Sequence, residues 1–400
     1  MSWPIVELGD ISYLITKGTT PTTLGLEFAE IGVPFIRVQN LVDGAVSLDV
    51  DPLYISNDTH KKLKRSIIYP NDILVSIAGT IGRTAVVSSE TAEMNCNQAV
   101  AIIRLKELIN KKFFFHWMSS KDALGQIMNS KVTGTISNIS LSQVGMLKIP
   151  LPPLQEQKRI AAILDQADAL RRLRQRAIDR FNTLGQAIFY EMFGDPIFNP
   201  MNWKEGVSLG DASEIISGIT KGRKIGGQPT REVPYLSVIN VQDRKLVLEP
   251  LKTINATNKE IEKYRLKKND ILLTEGGDPD KLGRGTIWSD ELAECIHQNH
   301  IFRVRLAGDY LRPVFLNWLI GSSRGKQYFL RSAKQTTGIA SINMTQLKGF
   351  PLFLPPIEIQ ISFEEKIDAL RITGDRMICA QSKTEAIFSS LQYRAFRGEL

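Results

Sequence analysis

The sequence predicts an α+β fold built twice: two tandem domains with β-rich mixed sheets, separated by two long antiparallel helices that pair as a coiled-coil spacer. Three observations lead there. Residues 150–193 read as a Pro-punctuated helix, and a degenerate copy returns at residues 353–396. An ordered series of shorter matches accompanies it. Leu8-Gly9-Asp10 recurs as Leu209-Gly210-Asp211, Val33 to Asn40 as Val233 to Asn240, and Asn71-Asp72-Ile73-Leu74 as Asn269-Asp270-Ile271-Leu272, while His116-Trp117 lines up with Asn317-Trp318. Finally, the offset drifts only between 198 and 203 residues, so insertions are confined to connecting loops, and the period is far too long for a solenoid unit. The expected domains are residues 1–150 and 195–353, with the long helices over 151–194 and 354–400.

Within the first copy, residues 32–38 alternate as a strand, 72–78 form a buried run ended by Gly79, and 99–105 form another strand. Residues 57–63 follow an Asn/Ser start signal for a helix, and 112–128 carry apolar residues at helical spacing. The second copy mirrors these with strands at 234–238, 270–274 and 301–306 and a helix over 312–330.

The long helices follow Pro-Pro pairs, which bar helix at the preceding residue and suit a first turn. In the first, Ile160, Leu164, Ala167, Leu170, Leu173, Ala177, Phe181, Leu184, Ile188 and Met192 recur at a mean step near 3.6 until Gly194-Asp195-Pro196 stops the pattern. The second is patchier, with Phe363, Ile367, Leu370, Met377, Ile387, Leu391 and Ala395, and Gly374 is expected to weaken its middle. A helix of this length spans about 60 Å, so its stripe needs a partner helix. The expected packing residues are Ile160, Leu164, Leu170, Phe181, Leu184, Ile188, Phe363, Ile367, Leu370 and Leu391.

Composition narrows the function. No apolar run reaches membrane-spanning length, and Met1 to Asp10 lacks a basic n-region and apolar h-region, so a cytoplasmic protein with no membrane partner is expected. Cys96, Cys295 and Cys379 have no metal or disulfide spacing, and His297 and His300 lack a second ligand pair, so no metal site is expected. A net charge of +8 favours a polyanionic partner. Catalytic motifs are missing. An adenine methyltransferase needs a polar residue before and an aromatic after its Pro-Pro pair, but here the pairs are Leu151-Pro152-Pro153-Leu154 and Leu354-Pro355-Pro356-Ile357. Gly218 to Lys224 fails the spacing of a phosphate-binding loop, and the carboxylates around Asp278 and Asp280 have no acidic partner for Mg²⁺. No catalytic residues are expected.

The tandem layout, the Leu-Gly-Asp opening and the segment Pro150-Leu151-Pro152-Pro153-Leu154-Gln155-Glu156-Gln157-Lys158-Arg159-Ile160 closely resemble the specificity subunit of type I restriction-modification enzymes. The second copy, Pro355-Pro356-Ile357-Glu358-Ile359-Gln360, keeps only the Pro-Pro and the final Gln. The resemblance implies two target recognition domains, each reading one half of a bipartite double-stranded DNA sequence, with the helix pair as spacer. It further implies a non-catalytic chain that binds no cofactor itself. Two methylation subunits would use S-adenosylmethionine, and restriction/translocation subunits would use ATP with Mg²⁺. The alternative is a two-headed protein-interaction scaffold without sequence-specific DNA binding.

Base edges are read by amides, hydroxyls and guanidinium groups on exposed loops, and phosphates by positive charge. Corresponding loops supply such groups with different side chains: Lys17, Thr19 and Thr20 against Lys221, Arg223 and Lys224; Arg83 against Lys281 and Arg284; Asn97 and Gln98 against Gln298 and Asn299; Lys131 and Thr133 against Lys334 and Gln335. Asn97 and Gln98 can equally satisfy backbone groups near a strand start. The run Arg171, Arg172, Arg174, Arg176 and Arg180 reads as a solvated face or a contact to a partner subunit.

Overall fold

The structure, a computed structural model, describes residues 3–129, 138–277, 282–336 and 339–400, with backbone alone for 334–336 and 339. The chain divides into two compact units, Met1–Ala177 with Met377–Leu400, and Ile178–Arg376. The first long helix is Leu154–Phe193 and the second Ile357–Arg397, so each unit contains one half of each.

In the first unit a four-stranded antiparallel sheet runs in the order Ser12–Lys17, Val100–Leu105, Ile73–Ser76, Thr84–Val86. A smaller sheet of Tyr54–Ile55, Val33–Ile36, Met94–Cys96 and Ile67–Ile68 is mixed, because Met94–Cys96 lies parallel to Val33–Ile36. Alternation along the strands builds two cores. Ile73, Val75, Ala101 and Ile103 face Phe113, Phe114, Trp117, Ile160, Leu164 and Phe396, whereas Leu74, Val100 and Ile102 face Ile36, Leu41 and Met94.

The second unit repeats the plan with Ser213–Ser217, Ile301–Leu306, Ile271–Thr274 and Gly285–Ile287, beside a mixed sheet of Lys252–Ala256, Arg231–Leu236 and Ile296–His297. Its core gathers Phe189 and Phe193 from the end of the first long helix with Phe315, Phe353 and Phe363.

Three pairs of polar residues show why the repeated segments are the ones retained. Asn40 accepts from the Arg37 N–H at 2.9 Å and donates to the Ser47 and Val50 carbonyls; Asn240 does the same with Ser237, Val247 and Pro250. Buried Asp72 holds Arg104 through two bonds of 2.8 and 2.7 Å, and Asp270 holds Arg305 through two of 2.7 Å. The third pair is the glutamine surviving from the helix signature. Gln157 accepts from the Asn110 N–H at 2.8 Å and donates to the carbonyls of Leu108 and Pro152. Gln360 accepts from the Arg312 N–H at 2.8 Å and donates to Tyr310 and Pro355. Both are buried, so each amide replaces water for three main-chain groups that would otherwise be stranded.

Within each unit the helix halves run antiparallel. In the first, Arg171 reaches Glu385 at 3.1 Å, Arg174 reaches Thr384 at 2.7 Å, and Arg159 reaches the Leu400 carbonyl at 3.0 Å. In the second, Phe181 meets Gly374 and Phe193 meets Phe363. Gly374 does not interrupt the helix. Its missing side chain seats the Phe181 ring, since a Cβ there would lie 3.3 Å from Phe181 Cε1.

The stripe itself is corrected in part. Ile160, Leu164 and Phe363 are fully buried, and Ile188, Ile367 and Leu391 pack on the cores, but Leu170 and Leu184 are 49% and 41% exposed. A helix facing a single partner helix covers only a narrow seam, so apolar residues on its flanks stay outside. Phe181 and Leu370 are half-buried.

Two other expectations shift. The helices expected over 112–128 and 312–330 are each two: Lys111–Met118 with Lys121–Asn129, and Pro313–Ile320 with Ser323–Ser332. Serines break them. Ser119 Oγ donates to the Phe115 carbonyl and Ser120 Oγ accepts from the Ala123 N–H, which ends one helix and starts the next. The glutamine-anchored starts at Asn110 and Arg312 also place His116 opposite Trp318, one residue away from the match with Asn317 suggested by sequence.

Candidate nucleic-acid interface

Strand register gathers the separate loops at one sheet edge. In the first unit Lys17 pairs with Ala101, Val100 with Ser76, and Val75 with Thr84. The loops after Lys17, before Val100, after Ser76 and before Thr84 therefore leave the same end of the sheet. The second unit pairs Ser217 with Phe302, Ile301 with Thr274, and Leu273 with Gly285, which brings its equivalent loops to the equivalent end.

Close backbone approach ties these loops together. Gly18 N–H donates to the Val100 carbonyl and Thr19 N–H to the Cys96 carbonyl, and a Cβ on Gly18 would sit 2.1 Å from the Cys96 oxygen. Gly218 stands in the same relation to His297, where a Cβ would meet the carbonyl oxygen at 2.0 Å, and Ile219 bonds both His297 and Asn299. Only glycine allows two main chains so near one another. A hairpin of Lys334–Thr336 and Ile339–Ser341 adds to the second edge by pairing Ser341 with Gly276. In the first unit Asn138 bridges Ala78 at the matching place.

The candidate residues divide by what already holds them. Lys17, Arg83, Gln98, Lys221 and Lys224 are exposed at these edges, with Thr19, Thr20, Gln298 and Asn299 half-buried beside them. Thr20 hydrogen-bonds Gln98, joining two candidate loops. Asn97 instead accepts from the Ala99 N–H at 3.2 Å and so supports its own turn. Arg223 is engaged by Glu260 through bonds of 2.5 and 2.7 Å, and that guanidinium drives the Glu260 carboxyl down to about 2. Arg284 donates from Nη1 to Gln242 at 3.1 Å. Lys334 and Gln335 lie on the added hairpin, while Lys131, Thr133 and Lys281 fall outside the described residues. Of the helix arginines, Arg171 and Arg172 pair with Asp168, and Arg174 reaches Thr384, so these three are held within the first unit.

Sequence reasoning missed Arg244 and Glu275 and weighed His300 only as a metal ligand. Arg244 adopts a left-handed backbone (φ 53°) at a hairpin tip and places its Cζ over the Trp318 ring, 3.7 Å from the centroid, while burial lowers its pKa. Glu275 and His300 pair at 2.6 Å on the second edge. Glu275 lies three residues before Asp278 and His300 follows Asn299, both weighed from sequence, so the available signal for this pair was adjacency.

Among the described residues, no helix is long and apolar enough to cross a membrane.

Two copies of one α+β unit, each with a loop-bearing sheet edge and halves of two paired helices, define a two-headed recognition protein. The profile described as the type I restriction modification DNA specificity domain matches residues 2–180 and again 200–372. The chain belongs to that family. Similar curated proteins include the type I restriction enzyme StySPI specificity subunit of Salmonella potsdam, 22% identical over 100% of this chain and 89% of that protein. The EcoBI specificity subunit of Escherichia coli is 26% identical over 100% and 86%. Among solved structures, a chain from work on complex assembly and conformational transition of the type I R-M system aligns with a TM-score of 0.64 at 18% identity, covering 100% of this chain and 98% of that one. The type I S subunit from M. genitalium aligns at 0.54 and 16%, covering 98% and 96%. At these identities the structural likeness speaks to the fold.

Proposed function

We propose that this chain is the DNA-specificity subunit of a type I restriction-modification complex, each unit reading one half of a bipartite double-stranded target. The observation that carries this reading is the pair of equivalent sheet edges, which keep one backbone scaffold and present different side chains. Two different half-sites demand that combination. Lys17, Arg83, Lys221 and Lys224 supply positive charge for phosphates, and Thr19, Thr20, Gln98, Gln298, Asn299 and Gln335 supply polar groups for base edges. By sequence, Lys131, Thr133, Lys281 and Lys334 belong to the same proposed set.

The paired helices set the gap between half-sites and carry the partner subunits. Leu170, Leu173, Ile378 and Ile387 on the first unit's helix halves are 49%, 56%, 56% and 60% exposed, an apolar surface suited to a protein partner. Two methylation subunits dock there and bring S-adenosylmethionine; restriction subunits bring ATP and Mg²⁺. The assembly works in the cytoplasm, where the DNA is.

Methylome sequencing of a host expressing the complex is expected to give one bipartite motif with a fixed gap. Replacing residues 1–150 with those of a relative should change one half-site only, and loss of both would overturn the modular reading. Duplex binding without sequence preference or a steep salt dependence would leave a protein scaffold instead. Inserting four residues near Arg176, with a matching insertion in the paired helix, lengthens each helix by about 6 Å and should widen the gap by roughly one to two base pairs. An unchanged gap would show that the helices are not the ruler.

A further inference from the structure

The second unit's edge carries an acid where a DNA-binding surface would be expected to avoid one. Glu275 follows the strand Ile271–Thr274 directly, donates its N–H to the His300 carbonyl at 3.0 Å, and accepts from the Ile342 N–H at 2.9 Å. Its main chain is thus fixed between two of the loops gathered at the edge. Its carboxylate receives His300 Nδ1 at 2.6 Å, with the Glu275 and His300 side chains 35% and 55% exposed. An ionised carboxylate only accepts hydrogen bonds, so Nδ1 carries the proton and the ring anchors one oxygen. Among the described residues no other group hydrogen-bonds this carboxylate, which leaves its second oxygen available as an acceptor.

The first unit shows that the fold does not require this pair. There Ile77 N–H bonds the Ala99 carbonyl and the Ile77 carbonyl accepts from the Ile139 N–H, the same backbone arrangement with Ile77 in place of Glu275 and Ala99 in place of His300. A half-buried acid at the edge whose loops also carry Lys221, Lys224 and Arg284 repels phosphate and so weakens nonspecific binding. What it offers in return is an acceptor for an exocyclic base amine, a group that phosphate contacts cannot sense.

Resting on the reading of this edge as a DNA interface, we propose that Glu275 is a specificity-determining residue of the second half-site, accepting from the N4 amine of a cytosine in the major groove, and that His300 is the positioning residue that holds its carboxylate. Selection from a randomised duplex library by the assembled complex, read by sequencing, tests this. The intact complex should select one cytosine in the half-site that follows the second unit. Glu275→Ala should make that single position degenerate, with at least about tenfold loss of discrimination, while every first-half-site position is unchanged. His300→Ala should relax the same position, which a merely structural role would not single out. An unchanged cytosine preference in Glu275→Ala, or relaxation spread over both half-sites, would overturn the proposal. Relaxation by Glu275→Ala with none by His300→Ala would overturn the positioning role. Failure of the unsubstituted complex to select any motif would instead defeat the DNA-reading function on which the inference rests.

Discussion

In the first unit the slot at the strand end is filled by Ile77 and Ala99, and in the second by Glu275 and His300, yet the main-chain bonds around it are the same. The same contrast recurs elsewhere. Cys96 and His297 occupy equivalent strand ends, and Cys96 Sγ lies 3.9 Å from the Val100 carbonyl where His297 Nδ1 donates to Ile301 at 3.0 Å. Where His116 packs near Phe388, Trp318 packs against Gly185, so a larger ring on one helix is matched by the loss of a side chain on the other. The Asn, Gln and Asp–Arg anchors are repeated, whereas the residues at these other positions have changed together with their neighbours, or have become free to face a ligand.

The most severe way to probe that comparison is to remove the shared anchors. Gln157→Ala and Gln360→Ala should each cost about 2–4 kcal/mol, because the freed N–H and carbonyl groups stay buried. Denaturant unfolding checks this, and a loss in only one unit would break the equivalence.

His297 should separate the units by pH. Burial pushes its pKa down to about 4 from the ordinary 6.5, so the folded chain keeps the ring neutral while the unfolded chain takes up a proton. Its contribution is present above pH 6.5 and is lost as pH falls through about 4, a difference of roughly 3 kcal/mol. Urea midpoints between pH 7 and pH 4 should fall for the second unit, and His297→Cys, which installs the first unit's residue, should flatten that slope.

Gly185→Ala should destabilise by about 1–3 kcal/mol despite alanine's helix preference, since its Cβ would lie 2.4 Å from Trp318 Cη2. Gly374→Ala, with a contact of 3.3 Å, should change thermal stability by less than about 1 kcal/mol. The smallest expected effect is in the DNA salt slope. Lys221→Ala should reduce it by about one, whereas Arg223→Ala, whose guanidinium is already engaged by Glu260, should leave it nearly unchanged.

Much of this was legible in the chain. Repetition exposed the two copies, and the residues that made it visible, Asn40, Asp72 and the Gln of the helix signature, proved to be buried residues bonded to backbone, Asp72 to the Tyr69 N–H as well as to Arg104. Strand order was not legible, because period-2 alternation says which residues share a face but not which strands pair. The edge residues were only partly found. Loop composition pointed to Lys17, Arg83 and Lys221, but Arg223 and Glu260 are 37 positions apart in sequence, so their ion pair leaves no local trace. Glu275 was missed for a different reason: an acid counts against nucleic-acid binding until its imidazole partner is seen. The exposure of Leu170 and Leu184 was equally hidden, since helical periodicity cannot report how wide a partner's surface is.

The glutamine anchors carry one more implication. Gln157 grips only main-chain atoms of Asn110, Leu108 and Pro152, and Gln360 only those of Arg312, Tyr310 and Pro355. A fastening that touches no side chain tolerates any side chain at the gripped positions. Recombination that joins a foreign recognition segment upstream of either glutamine therefore inherits a working joint, and new target preferences can arise by wholesale exchange without waiting for compensating substitutions at the seam.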